Sequence, residues 1–244
     1  LDTDKYDISM TIMDAAGSQR AQDDQVQEMI EDGCNVLCIN LADRTDLSHI
    51  INAAMENDIP IIFFNRELVE EDLERWDRVY YVGAKAFESG IMQGEIAADA
   101  FKENPDADKN GDGVFQYVVL EGEAGHQDAI VRTEYAVSTI IDNGVEVDKL
   151  AYGIANWNRA QAQTKMAQML GEHGDRLELV LANNDDMALA AARTAKDNPN
   201  YAKTIFLGFD GQKSAVEAVL NGELTMTAAQ NNFDIGYKAV ETIV

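Results

Sequence analysis

The sequence predicts an α/β protein of two lobes, each built on a parallel sheet flanked by helices. Three observations predict it. Short apolar, β-rich runs alternate with longer stretches of helical pattern along the whole chain. The runs read as strands buried on both faces, as parallel sheets require. Nine such runs occur, more than one sheet of ordinary size holds, so two lobes share them.

The first run is YDISMTIM (6–13), followed by a helical pattern over 19–32. CNVLCINL (34–41) comes next, with a helix predicted over 46–57. This strand carries both cysteines, Cys34 and Cys38. Four residues of strand span about 13 Å, too far for a disulfide, so both are expected to be buried thiols. PIIFFN (60–65) and VYYVG (79–83) are the third and fourth strands, and a helix over 86–103 follows. FQYVVLEGE (115–123), LAYGIA (150–155), ELVLANN (178–184), TIFLGFD (204–210) and LTMTAAQ (224–230) complete the set. Helices are predicted after them over 127–143, 157–172, 185–197, 211–221 and 233–243.

Only three prolines occur, and no Pro/Ser-rich linker separates the lobes, so strand crossovers must join them. YYVGAKAFESG is one crossover, because Gly83 and Ala84 can absorb a hinge change, and TAAQNN (227–232) is the return. Residues 1–83 and 231–244 then form an N-terminal lobe, and 84–230 a C-terminal lobe. Both ends are expected to be incomplete: the chain opens on a strand and stops inside the helix of FDIGYKAVETIV.

Composition narrows the function. With 44 acidic against 19 basic residues, the net charge is −25. Such a surface repels phosphate backbones, so no nucleic-acid partner is expected, while a cation site is favoured. No apolar run is long enough to span a membrane. The first residues show no basic stretch leading into an apolar one, so any targeting segment is expected to lie outside this sequence. Nucleotide-binding glycine motifs and the common zinc-protease and serine-hydrolase motifs do not occur. His126 and Asp128 could form an acid–base pair, but no nucleophile stands beside them in the sequence, and no enzymatic activity is expected.

Ligands of open parallel sheets bind beyond the carboxyl ends of the strands. Those ends carry Asn65, Asn184, Asp210 and Gln230, and FQYVVLEGE leads into AGHQDAIVR with His126, Asp128 and Arg132. Amides, carboxylates and a guanidinium converging on one edge suit a ligand covered in hydroxyl groups, a sugar. Each residue also has a plain reading: Asn and Asp at strand ends cap helices, and Asp128 with Arg132 is an i,i+4 ion pair. Trp157, between a strand and a helix, offers either a stacking face for a sugar ring or interlobe packing.

DADKNGDGVFQ (106–116) begins like a calcium loop but lacks its closing glutamate; the twelfth position is Tyr117 counted from Asp106 or Val119 counted from Asp108. Parallel strands supply the missing group. If Asn184 stands at the ligand edge, Glu178, six residues back, stands about 20 Å away at the opposite edge, beside the loop. The expected oxygen donors are Asp108, Asn110, Asp112, the Val114 carbonyl, Gln116 and Glu178, a set suited to Ca2+ in a structural role. The alternative is a surface loop rich in Asp, Asn and Gly.

IPIIFFNREL, YYVGAKAFESGIMQGE, LEGEAGHQDAIVRTEY, ELVLANNDDMALAA and FLGFD together resemble the bacterial glucose/galactose-binding proteins, the sugar receptors of ABC importers. The resemblance runs from about residue 7 to 230. It implies a type I periplasmic-binding-protein fold and a hexose, D-glucose or D-galactose, bound between the lobes. Asn65, His126, Asp128, Arg132, Asn184 and Asp210 fall on its sugar-contacting positions, Trp157 on its stacking tryptophan, and Gln230 where the family has asparagine. The same six calcium ligands are implied. So are a monomer, a membrane permease as partner, and a chemotaxis receptor as a further one. Location would be periplasmic or extracellular, with a lipid anchor in a bacterium lacking an outer membrane. The family's first strand, which brings an aspartate and a second stacking aromatic, has no counterpart here; nor does its C-terminal strand. A sugar-responsive repressor's effector domain shares this fold, but the charge and the calcium loop argue against it.

Overall fold

A computed structural model describes residues 8–197, 201–229 and 232–243. Two compact units emerge: Leu1–Ala84 with Asn231–Val244, and Lys85–Gln230.

The first unit holds a sheet of β1 (Leu37–Ile39), β2 (Ile61–Phe64) and β3 (Val79–Val82) in that order, all parallel. Helices α1 (Gln19–Glu31), α2 (Ser48–Glu56), α3 (Glu70–Leu73) and α9 (Asn232–Ile243) belong to the same unit. Its core joins Leu37, Ile39, Ile61 and Phe63 of the strands to Val26, Ile50, Ile51 and Ala54 of α1 and α2. Alternation along each strand sends these side chains to one face.

From Ile8 on, YDISMTIM is not a strand. Its described residues have no regular structure, and Ile8, Met10 and Ile12 are exposed. The run has the side-chain pattern of a strand, but a strand also needs a neighbour to take its N–H and C=O groups. The expectation of two buried thiols also fails: Cys34 is half-buried and Cys38 is exposed. Leu37 and Ile39 take the core side of β1, which leaves Cys38 on the other.

The second unit holds a five-stranded parallel sheet in the order β5-β4-β6-β7-β8. The strands are β4 (Val114–Glu121), β5 (Glu146–Ile154), β6 (Leu179–Ala182), β7 (Ile205–Asp210) and β8 (Met226–Ala229). Helices α4 (Ala86–Glu103), α5 (Gln127–Asp142), α6 (Arg159–His173), α7 (Asp185–Ala195) and α8 (Lys213–Leu220) flank it. Two cores form, one with α6, α7 and α8 and the other with α4 and α5. β4 and β6 accordingly read apolar on both faces, as parallel strands between helix layers do.

One contact aligns the strand tips. Gln93 of α4 is buried, and its amide donates to the Ala182 and Gly208 carbonyls, at 3.1 Å each, near the ends of β6 and β7. Gly90 and Gly94 let α4 approach α5 closely, since a Cβ on either would collide with α5.

Candidate functional site

Six of the predicted ligand residues lie in the second unit, and the fold brings them together at the carboxyl ends of its strands. His126 caps α5: its Nδ1 accepts the Asp128 N–H at 3.2 Å, so the ring proton sits on Nε2. Asp128 Oδ2 accepts from Arg132 Nη2 at 3.2 Å, and both side chains are buried. The Arg132 guanidinium lies over the Phe209 ring at 4.1 Å and near the Trp157 ring at 6.0 Å, and its Nη1 donates to the Asn183 carbonyl at 3.0 Å. Trp157 meets His126 edge to face, with 5.1 Å between ring centroids. Asn184 caps α7, taking the Met187 N–H at 3.0 Å, while its Nδ2 donates to the Trp157 carbonyl at 3.4 Å. His126 and Asn184 thus serve as helix caps and as members of the cluster at once.

Asp210 ends β7 with a φ of 128°. Burial pushes its carboxyl pKa up to about 6, against the pull of Arg132 in the other direction. Burial lowers the Arg132 pKa, and Asp128 and Asp210 oppose that shift. One guanidinium between two carboxylates leaves excess acceptor capacity in a largely dehydrated place.

Backbone conformations mark the same residues. Among the described residues, the non-glycine positions with positive φ are Ala16, Asp58, Asn65, Asn156, Trp157 and Asp210. Three of these are predicted ligand residues. Such conformations cost about 1–3 kcal/mol each and persist where surrounding structure imposes them, often at functional sites.

Asn65 belongs to the first unit. It has a φ of 66°, and its Nδ2 donates to Asn40 Oδ1 at 3.3 Å, joining the tips of β2 and β1. Tyr81 donates its hydroxyl to the Asn65 carbonyl at 3.0 Å and so holds that turn. Gln230 lies outside the described residues.

Sequence reasoning missed four supporting residues. Asn40 is a strand-tip amide like the others and could have been read the same way. Asn183 ties β4 to α5, its Oδ1 taking the Gly122 N–H and its Nδ2 donating to Thr133 Oγ1, both at 3.0 Å. Gly122 leaves room for the Trp157 indole, which a Cβ there would strike. Asp185 is wholly buried beside Asp210.

At the other end of β4, the loop residues and Glu178 also meet. Asp108 folds the loop, accepting the Gly111 and Gly113 N–H groups at 2.7 and 2.9 Å. Asp112 Oδ1 accepts the Val114 N–H at 2.9 Å. The side-chain amides of Asn110 and Gln116 both donate to Asp112 Oδ2 at 2.9 Å. Glu178, with no exposed surface, accepts the Lys109 N–H at 2.6 Å and the Gln116 N–H at 3.0 Å. Burial raises the Glu178 pKa, and Asp108 and Asp112 raise it further. Among the described residues, no group of three or more His, Cys, Asp or Glu is already drawn together around a metal position. The side chains here are oxygen donors of the kind a hard divalent cation takes, with the Asn110 and Gln116 amide nitrogens turned toward Asp112. Asp106 pairs instead with Lys203.

This architecture, a parallel sheet presenting polar and aromatic side chains at its carboxyl edge, is that of a solute-binding protein. The match to the periplasmic binding protein domain family covers residues 2–244, and the chain belongs to that family. It is 33% identical over 235 residues to the D-galactose/methyl-galactoside binding periplasmic protein MglB of Haemophilus influenzae, covering 96% of this chain and 70% of that one. The ribose import binding protein RbsB of Salmonella typhimurium is 28% identical over 240 residues, 98% of this chain and 75% of the relative. Among solved structures, an ABC transporter solute binding protein from Bacillus halodurans with bound myo-inositol superposes with a TM-score of 0.84 at 26% identity. That match covers 98% of this chain and 78% of the other. These relatives are binding receptors rather than enzymes. Among the described residues, no helix is long and apolar enough to cross a membrane.

Proposed function

We propose that this protein is an extracytoplasmic receptor for a hexose, D-galactose or D-glucose, and hands it to the membrane permease of an ABC importer. The cluster of Asp128, Arg132, Trp157, Asn184 and Asp210 supports this reading most strongly. Hydroxyl groups both donate and accept; carboxylates take their protons and a guanidinium donates to their oxygens, while an indole covers the apolar face of a pyranose ring. Asn65 and Gln230 are proposed as further ligands. The identity to the Haemophilus galactoside-binding protein favours galactose over the inositol and ribose of other relatives.

We further propose that Asp108, Asn110, Asp112, the Val114 carbonyl, Gln116 and Glu178 hold a structural Ca2+. The ion would link the start of β4 to the start of β6.

Titration with D-galactose, D-glucose, D-ribose, D-allose and myo-inositol, followed by tryptophan fluorescence, tests the first proposal. A hexose should bind with a Kd of about 1 μM or tighter and change the emission of Trp157. Tight binding of ribose or inositol alone would overturn the choice of hexose.

A further inference from the structure

Asp185 opens α7 and is wholly buried. A buried carboxylate carries a desolvation cost that its surroundings must offset. Its position in a first helical turn does not explain it, because Asp186 next to it already supplies a carboxylate there, paired with Arg159 nearer the surface.

Its side-chain hydrogen bond leads to the turn after β7, and its other neighbours lie on β7 and β8. Asp185 Oδ2 accepts the Gln212 N–H at 2.8 Å. Burial raises the Asp185 pKa, and the nearby Thr227 hydroxyl and the Gln212 and Gly211 N–H groups oppose that rise. Thr227 Oγ1 in turn lies 3.1 Å from the Gly211 nitrogen. The Asp185 backbone N–H lies near the Asp210 carboxylate, to whose Oδ2 the Gln212 side-chain amide donates at 3.3 Å. Asp185 Oδ1 is without a hydrogen-bond partner and lies against Gly208, where any Cβ would strike it. Between these anchors the backbone takes two positive φ values, 128° at Asp210 and 69° at Gly211. Gly211 is pressed against β8, where an added Cβ would come within 2.7 Å of the Ala229 Cα.

We infer that Asp185 is a positioning residue for sugar recognition: it clamps the Asp210–Gly211–Gln212 turn, and through it fixes the Asp210 carboxylate beside Arg132. This rests on the reading of Asp210 as a sugar ligand. An unclamped Asp210 would relax from its strained φ and carry its carboxylate out of the cluster. Two groups set the charge around Asp210, Arg132 of α5 and Asp185 of α7.

The test uses the full chain with Asp185→Ala, Asp185→Asn and Thr227→Val, each alone and combined with Asp210→Ala. Hexose affinity is measured by calorimetry, and the Asp210 carboxyl is titrated by carbon NMR. Asp185→Ala should weaken binding by roughly tenfold or more alone, and by less than about twofold once Asp210 is absent. Asp185→Asn keeps one acceptor oxygen and should recover part of the loss. Equal losses in both backgrounds would mean a general structural role and overturn the inference. Thr227→Val changes no charge, so it carries the test if the Asp185 variants do not fold. Its Asp210 pKa should fall from about 6 toward the ordinary carboxylate range as the turn loosens and admits water. An unchanged Asp210 titration in Thr227→Val overturns the clamp. That readout needs no sugar, so a chain that binds no hexose refutes the functional reading and still leaves the clamp decided.

Discussion

The indole of Trp157 lies directly against the Cα of Gly122, in the space a Cβ would occupy. Gly122 follows β4, while Trp157, with a φ of 59°, follows β5, so neighbouring strands set the place of the ring. Gly122→Ala should therefore move Trp157 off His126. Overpacking of this kind costs about 1–3 kcal/mol. Calorimetry should show hexose affinity reduced by roughly tenfold or more, with a melting temperature lowered by a few degrees. Unchanged affinity would mean the indole does not contact the ligand.

Asp210 gives a pH signature. Its folded-state pKa of about 6 stands above the ordinary 3.8, so the folded chain holds that proton more tightly than the unfolded one. The stability this confers is complete below about pH 4 and is lost as pH rises through about 6. Asp210→Asn should thus raise the melting temperature at pH 8 and hardly alter it at pH 4. Hexose affinity should run the other way, because the ionised carboxylate is the better acceptor. Wild-type binding is expected to be about tenfold weaker at pH 5 than at pH 7. A flat affinity profile would remove Asp210 from the ligand set.

The calcium proposal predicts an effect on stability without one on sugar binding, because the loop lies at the opposite end of β4 from the cluster. A ligand that binds only the folded state adds roughly 4 kcal/mol at a thousandfold excess over its Kd. Chelator should lower the melting temperature and leave room-temperature hexose affinity nearly unchanged. Glu178→Gln should lower it too and abolish the chelator response. Asp106→Asn should retain that response and cost little, since it removes only the exposed pair with Lys203. A response lost in Asp106→Asn and kept in Glu178→Gln would show that both the loop frame and the sixth ligand are misassigned.

Gln93→Leu tests the alignment of the strand tips. It strips the Ala182 and Gly208 carbonyls of their buried donor. A lost buried partner costs about 1–3 kcal/mol. Denaturant melts should show a loss in that range, and hexose affinity should fall as Asn184 and Asp210 lose their fixed spacing.

Much of this is legible in the sequence. Parallel strands run apolar and then stop at a polar residue, so Asn184 and Asp210 announce themselves as tips, and the same periodicity places Glu178 at the far edge beside the loop. Other features depend on packing that no local pattern carries. Gln93 looks like a surface residue of α4, and only the packing of α4 on β6 and β7 reveals it as buried. Asp185 reads as one more acid at a helix start. YDISMTIM has the composition of a strand but, among the described residues, pairs with none. Positive φ at Trp157 and Asp210 cannot be read from residues that ordinarily avoid it.

The most direct test of the central claim is calorimetric titration of D-galactose and D-glucose into the wild type, Asn184→Ala and Asp210→Ala. The wild type should bind one hexose per chain with a Kd of about 1 μM or tighter. Each variant should lose more than about 2 kcal/mol, since buried sugar hydroxyls would be left unpaired. Full wild-type affinity in both variants would contradict the account.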